Sequence, residues 1–248
     1  MTHERDDAPL PPIPGLIAVV GCDGTGKSTL THDLLRILGK HVPTERRYLG
    51  LISGESGAKI KELPLIGPRL EKRLAAKAAH AQDMKNKPPG VWGALIMYGL
   101  SVWREGQLRK VCRLAESGTL VITDRFPQAE VSGFRYDGPG LGMERSEHWL
   151  VRKLAAREQR LYKRMARYRP ILVIKLDIDV ATAYARKPDH SRSELSDKIA
   201  VMARLQYNGA PLFDLDTRAP YPDVLARALR AVTAVVPALP SNLPAEAS

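Results

Sequence analysis

Leu16-Ile17-Ala18-Val19-Val20 runs straight into Gly21-Cys22-Asp23-Gly24-Thr25-Gly26-Lys27-Ser28-Thr29, and this junction decides the fold. The apolar run reads as a buried strand, and the G-x-x-x-x-G-K-S pattern after it reads as a phosphate loop that opens a helix. Glycines at 21, 24 and 26 let backbone N–H groups turn inward around phosphate oxygens, where a side chain would block the approach. Lys27 is placed to set a point charge on the β- and γ-phosphates and Ser28 to offer its hydroxyl to Mg²⁺. The helix beginning near Lys27 aims its positive dipole end at the same anion. Residues Gly21 to Thr29 therefore predict a site for ATP with Mg²⁺.

A chain of 248 residues with 44% hydrophobic content can bury one generous core. The reading predicts a single domain over residues 15–236. Residues 1–14, which carry Pro9, Pro11, Pro12 and Pro14 among charges, and the Pro/Ala/Ser-rich residues 237–248 are expected to be disordered tails. Cys22 and Cys112 are too few for a disulfide framework and lack metal-ligand spacing, which points to a reducing cytoplasm. The most apolar stretch, Val91 to Trp103, is too short for a membrane span, and no signal peptide opens the chain. A soluble, cytoplasmic protein is the expectation.

The formal net charge of +11 calls for acidic partners, and its densest run is Arg152 to Arg169. Leu150, Leu154, Leu161 and Met165 recur there at near-helical spacing, so the run is an amphipathic helix with a basic outer face. Such faces are mostly solvated, and no nucleic-acid-binding motif accompanies this one, which disfavours a nucleic-acid partner.

Strands are expected at Leu16–Val20, Arg47–Leu51, Leu120–Thr123, Ile171–Leu176 and Leu212–Leu215. Helices are expected at Ser28–Gly39, over a charged segment at 56–83, and at Val91–Ser117, Glu147–Tyr168, Val180–Ala185, Glu194–Tyr207 and Pro222–Val235. This alternation predicts an α/β fold, a five-stranded parallel sheet with helices on both faces. Ligands of such sheets bind at the carboxyl ends of the strands.

One such end is Leu120-Val121-Ile122-Thr123-Asp124-Arg125-Phe126-Pro127, an apolar strand that closes on a carboxylate and a guanidinium. Asp124 is placed to complete the Mg²⁺ shell with Ser28, and Arg125 to make a bidentate contact with an acceptor phosphate.

Together, Gly21 to Thr29 and Asp124-Arg125-Phe126 resemble the two signature motifs of the thymidylate kinase family, phosphate-loop enzymes that phosphorylate a nucleoside monophosphate. The resemblance implies that Arg104, in Trp103-Arg104-Glu105, holds the acceptor. Leu100 would contact the acceptor's base, and Tyr136 opens a glycine-rich segment, Tyr136 to Gly142, at the acceptor site. Ala185 to Arg192 would belong to a lid over residues 186–196, from which Arg186 and Arg192 close over the triphosphate. Asp23 would face the acceptor from within the loop. The resemblance also implies a homodimer through helices beside the Asp-Arg strand. It covers most of residues 16–235 and is specific in its first two motifs.

Several residues depart from that family. Val20 replaces a Glu, Leu100 an aromatic ring, and Asp137 and Leu141 stand where Gln and Arg are usual. The chain between Lys27 and Arg104 is also longer than the family's. These departures bear on the acceptor, so two further readings stand beside a kinase acting on a monophosphate or related small acceptor. One is a kinase for a hydroxyl of a nucleoside, sugar or polymer precursor, with Glu45 or Asp23 as the base that such an acceptor needs. The other is a non-catalytic regulatory or assembly protein that binds nucleotide.

Overall fold

The computed structural model describes residues 10–51, 90–142, 147–240 and 243. The helix expected at 56–83 lies outside the described residues. The strands are β1 (Pro12–Gly21), β2 (Thr44–Tyr48), β3 (Leu120–Asp124), β4 (Arg169–Asp177) and β5 (Leu212–Asp216). Every pairing is parallel and the order is β2-β3-β1-β4-β5. The helices are α1 (Lys27–Leu38), α2 (Val91–Glu116), α3 (Trp149–Ala166), α4 (Val180–Arg186), α5 (Arg192–Arg204) and α6 (Tyr221–Val235). The expected α/β architecture, a five-strand all-parallel sheet flanked by helices, is present.

The described residues form two compact units interleaved along the chain. One comprises residues 10–49, 108–126, 166–240 and 243 and contains the whole sheet; the other comprises 50–51, 90–107, 127–142 and 147–165.

In the sheet unit, strand alternation sends Ile17, Val19, Leu120, Ile122, Leu172, Ile174 and Leu176 to one face. There they meet Leu30, Leu34, Ile37 and Leu38 of α1 and Val224, Leu225, Ala228, Leu229 and Val232 of α6. Residues of the opposite parity, Leu16, Ala18, Val20, Val121 and Val173, are equally buried, as a parallel sheet requires. Asp33 pins the two helices: its carboxylate accepts from the Tyr221 hydroxyl at 2.6 Å and from Arg36 Nε at 3.4 Å.

Three boundaries differ from the expectation. β1 begins at Pro12, inside the stretch read as a tail, because Pro12 and Ile13 pair with Arg169 and Pro170 before a register shift at Pro14 and Gly15. Proline fits there, at a strand start and beside an irregularity, where no ladder N–H is needed. Gly15 takes φ 74°, and a Cβ on it would lie 3.2 Å from Thr119 O. β2 runs over Thr44–Tyr48 instead of Arg47–Leu51, because β3 ends at Asp124 opposite Tyr48, and the Leu49 N–H donates to Asp124 O at 3.0 Å as the chain leaves the ladder. Its polar residues suit an edge strand. Beyond α6, Leu239 is 6% exposed and packs into the main core, so apolar contact extends past residue 236.

Leu34, fully buried between α1 and the sheet, reports on this core. Leu34→Ala is expected to lower the unfolding free energy in urea by about 2–5 kcal/mol; a change within error would mean that α1 does not carry the packing.

Candidate functional site

β1 feeds the phosphate loop, and the carboxyl end of β3 lies alongside. Val19 pairs with Asp124, and the Arg125 N–H donates to Val19 O at 3.0 Å. β1 connects through α1 to β2 on one side, and its neighbour β3 connects to β4 on the other, so the chain reverses direction at these two strand ends, the kind of switch point at which open α/β sheets bind ligands. Gly24 and Gly26 carry φ 87° and 83°. A Cβ on Gly24 would sit 3.0 Å from Ala183 O, whereas the Cβ position of Gly26, which caps α1 without a side-chain bond, is open. Thr25 Oγ1 and Lys27 Nζ both donate to Cys22 O, at 2.8 and 2.6 Å, and hold the loop curved. Burial, and next the nearby Arg125, bring the Lys27 ammonium down to a pKa of about 8.

The two residues expected to share a cation meet directly. Ser28 Oγ donates to Asp124 Oδ2 at 3.2 Å. Arg46 Nη2 donates to the same oxygen at 3.1 Å while its Nε donates to Thr31 Oγ1 at 2.8 Å. Asp124 is 2% exposed, and its Oδ1 has no partner among the described residues. A hydroxyl and a carboxylate with one orphaned oxygen are hard oxygen donors of the kind Mg²⁺ takes when phosphate oxygens and water supply the rest of its shell. The residues fit the ion. Among the described residues no cluster of three or more His, Cys, Asp or Glu could hold a metal by itself.

Asp23 is fixed from two sides, by Lys198 Nζ at 2.6 Å and by Arg125 Nη2 at 3.4 Å. Burial raises its pKa, but Lys198, Lys27 and Arg125 outweigh this and hold the carboxyl well below the usual range. Arg125 itself lies at φ 70°, in the left-handed region that costs a non-glycine residue on the order of 1–3 kcal/mol.

The segment expected to be a lid, residues 186–196, comprises the last residue of α4, a short turn and the start of α5. Cys22 of the phosphate loop packs with Ile178, Ala183 and Leu195. Arg186 donates to Gly24 O at 3.3 Å and to Thr217 O at 2.9 Å, so it touches the loop directly. Arg192 lies over the Tyr184 ring at 4.7 Å instead. A capping box of Ser191 and Glu194 starts α5.

Leu100, Arg104 and Tyr136 belong to the second unit. Arg104 is fully buried and engaged there: Nη2 donates to Asp137 Oδ1 at 2.9 Å, and Nη1 to Asp137 O at 3.2 Å and the Tyr162 hydroxyl at 3.4 Å. Leu100, one turn earlier, is half-buried. Tyr136 is buried beneath the Arg135 guanidinium at 4.8 Å. A second buried group fastens the same segment. Glu158 accepts from Leu141 N at 2.7 Å and meets Ser101 Oγ at 2.7 Å, while Ser101 Oγ also lies 3.1 Å from Met97 O. Burial lifts the Glu158 pKa to about 7.

Arg46 and Lys198 are the site residues that sequence reasoning passed over. Arg46 was legible in principle, since period-two alternation sets Thr44, Arg46 and Tyr48 on the face opposite Glu45 and Arg47. Lys198 carries no local signal.

Fold and site define a phosphate-loop α/β protein whose all-parallel sheet is kinase-like. The "Uncharacterized ATP-binding protein YghR" of Escherichia coli (strain K12) is 60% identical over 223 residues, 90% of this chain and 88% of that protein. The "Uncharacterized ATP-binding protein YghS" of the same strain is 47% identical over 221 residues, 89% of this chain and 93% of that protein. The chain belongs to the family of these proteins. No protein-family model matches it.

Two outcomes check this geometry. A double-mutant cycle on Asp23→Asn and Lys198→Met, read by urea unfolding, is expected to give a coupling of about 0.5–3 kcal/mol; additive losses would mean the pair does not form. A protonated Glu158 can donate to Ser101 while still accepting from Leu141 N, and a glutamine amide can do the same. Because its folded pKa is raised from 4.5 to about 7, Glu158 contributes stability that is fully present below pH 4.5 and lost as pH rises through 7. Glu158→Gln is therefore expected to leave the melting temperature unchanged near pH 4.5 and raise it at pH 8 relative to wild type; a pH-independent difference would refute the assignment.

Proposed function

We propose that this protein binds ATP with Mg²⁺ and transfers the γ-phosphoryl group to a nucleoside monophosphate or a related small acceptor. The meeting of Ser28 with Asp124 beside the phosphate loop, with Asp124 Oδ1 left over, carries this reading. The names of YghR and YghS, both uncharacterized ATP-binding proteins, support the binding of ATP.

The loop amides and Lys27 bind and neutralise the donor phosphates, and Ser28 and Asp124 hold the metal. Mg²⁺ in such a site neutralises charge on the β- and γ-oxygens. Arg46 orients Asp124. Arg186, already against the loop, stabilises charge on the transferring group, and Arg192 joins it by leaving the Tyr184 ring. Arg125 takes the acceptor phosphate. Within the second unit, Arg104 positions the 137–142 segment through Asp137.

The carboxylates favour a phosphate acceptor over a hydroxyl. Glu45 pairs with Arg47 and lies in register with Val121, roughly 10 Å along the strand from the Asp124 row. Asp23, held well below its usual pKa by Lys198, Lys27 and Arg125, is a poor proton acceptor. A monophosphate dianion needs no base.

ADP release from Mg·ATP, measured with dTMP, with thymidine and with no acceptor, tests the proposal. Stimulation by the monophosphate alone is expected, and Lys27→Ala and Asp124→Asn should each lower the rate on the order of 10²-fold or more. Lys27→Ala turning over like wild type would sink it, and stimulation by thymidine would restore the hydroxyl reading.

A further inference from the structure

Among the described residues of the second unit, the exposed cations concentrate on the outward face of α3. At 3.6 residues per turn, Arg152, Lys153, Arg157, Arg160, Lys163 and Arg164 all fall within about 80° of the direction of Trp149. All six are exposed, and Trp149, the first residue of the helix, is 68% exposed with His148 stacked on it. The opposite face, Val151, Leu154, Ala155, Leu161, Tyr162 and Met165, is buried in the unit. The one acidic residue of the helix, Glu158, is buried as well. Among the described residues, Arg164 is the one of the six cations with an ion-pair partner, Glu105 at 3.2 Å. The result is a stripe of positive charge about 22 Å long with an indole at one end and no exposed carboxylate on the helix itself, the exposed Glu147 lying just before its first residue.

We propose that this face docks the protein on an anionic phospholipid surface. Charge complementarity selects a polyanion. The angular spread of the cations, too wide for one strand of nucleic acid lying along the helix, matches a plane that long side chains reach from both flanks. Trp149, at the centre of that spread, has the apolar body and polar tip that sit at the headgroup level. Lys/Arg clusters of this size on an amphipathic helix are attracted to acidic lipid headgroups. With its apolar face committed to the core, α3 adsorbs electrostatically without inserting, and the contact weakens with salt. This inference is independent of the proposed phosphoryl transfer.

Flotation of the full chain with phosphatidylcholine vesicles, with and without phosphatidylglycerol, tests it. Binding should require the acidic lipid, fall between roughly 50 and 300 mM salt, and drop about a hundredfold in Arg157→Gln/Arg160→Gln/Lys163→Gln. Trp149→Ala should weaken it by a smaller factor. The variant Arg109→Gln/Lys110→Gln/Arg113→Gln, with the same charge loss on exposed residues of the sheet unit, should bind as wild type. Each variant's melting temperature should match wild type, since the substituted residues are exposed. Equal loss in both triple variants would mean that only net charge matters, and no binding to acidic vesicles would overturn the proposal. So would displacement of the protein from vesicles by a single-stranded oligonucleotide at lower phosphate concentration, which would assign the face to nucleic acid.

Discussion

Asp124 is the group on which the candidate site depends. Its backbone pairs in the ladder with Val19 on one side and Tyr48 on the other, so its place relative to the phosphate loop is set by hydrogen bonds of the sheet. Its side chain then gathers Ser28 from α1 and Arg46 from β2 onto one oxygen. A carboxylate this buried is costly unless it is met by donors or a cation. Here one oxygen is met twice and the other is left, which is the condition of a ligand to something further.

The same rule explains the loop. Asp23 brings a negative charge into a site meant for phosphates, which would repel them if it stood alone. Lys198 and Arg125 neutralise it, and the first comes from the helix after the lid turn. The loop is thereby tied to α5 by charge and to α4 and α5 by the packing of Cys22.

In the second unit, two of the departures from the thymidylate kinase pattern, Asp137 and Leu141, fasten one segment. Asp137 is the partner of the buried Arg104, so the anion that the sequence adds is the group that makes full burial of that guanidinium affordable. Leu141 contributes its backbone: its side chain is buried and its N–H donates to Glu158. Both substitutions fasten the 137–142 segment from the inside.

The sequence by itself determined the elements whose signal is local. The apolar run into Gly21 to Thr29 specified strand, loop and helix, because only glycine admits the loop's backbone and only a buried parallel strand is apolar on both faces. Leu120 to Asp124 specified a second strand ending in a carboxylate for the same reason. The start of β1 at Pro12 and the shift of β2 were not legible, since both depend on what the neighbouring strand offers as a hydrogen-bond partner. The pairing of Asp23 with Lys198 and the burial of Arg104 by Asp137 and Tyr162 were decided only by the tertiary structure. Charges far apart in the chain become partners when folding removes the water that would otherwise solvate each alone, and no spacing rule along the sequence records that meeting.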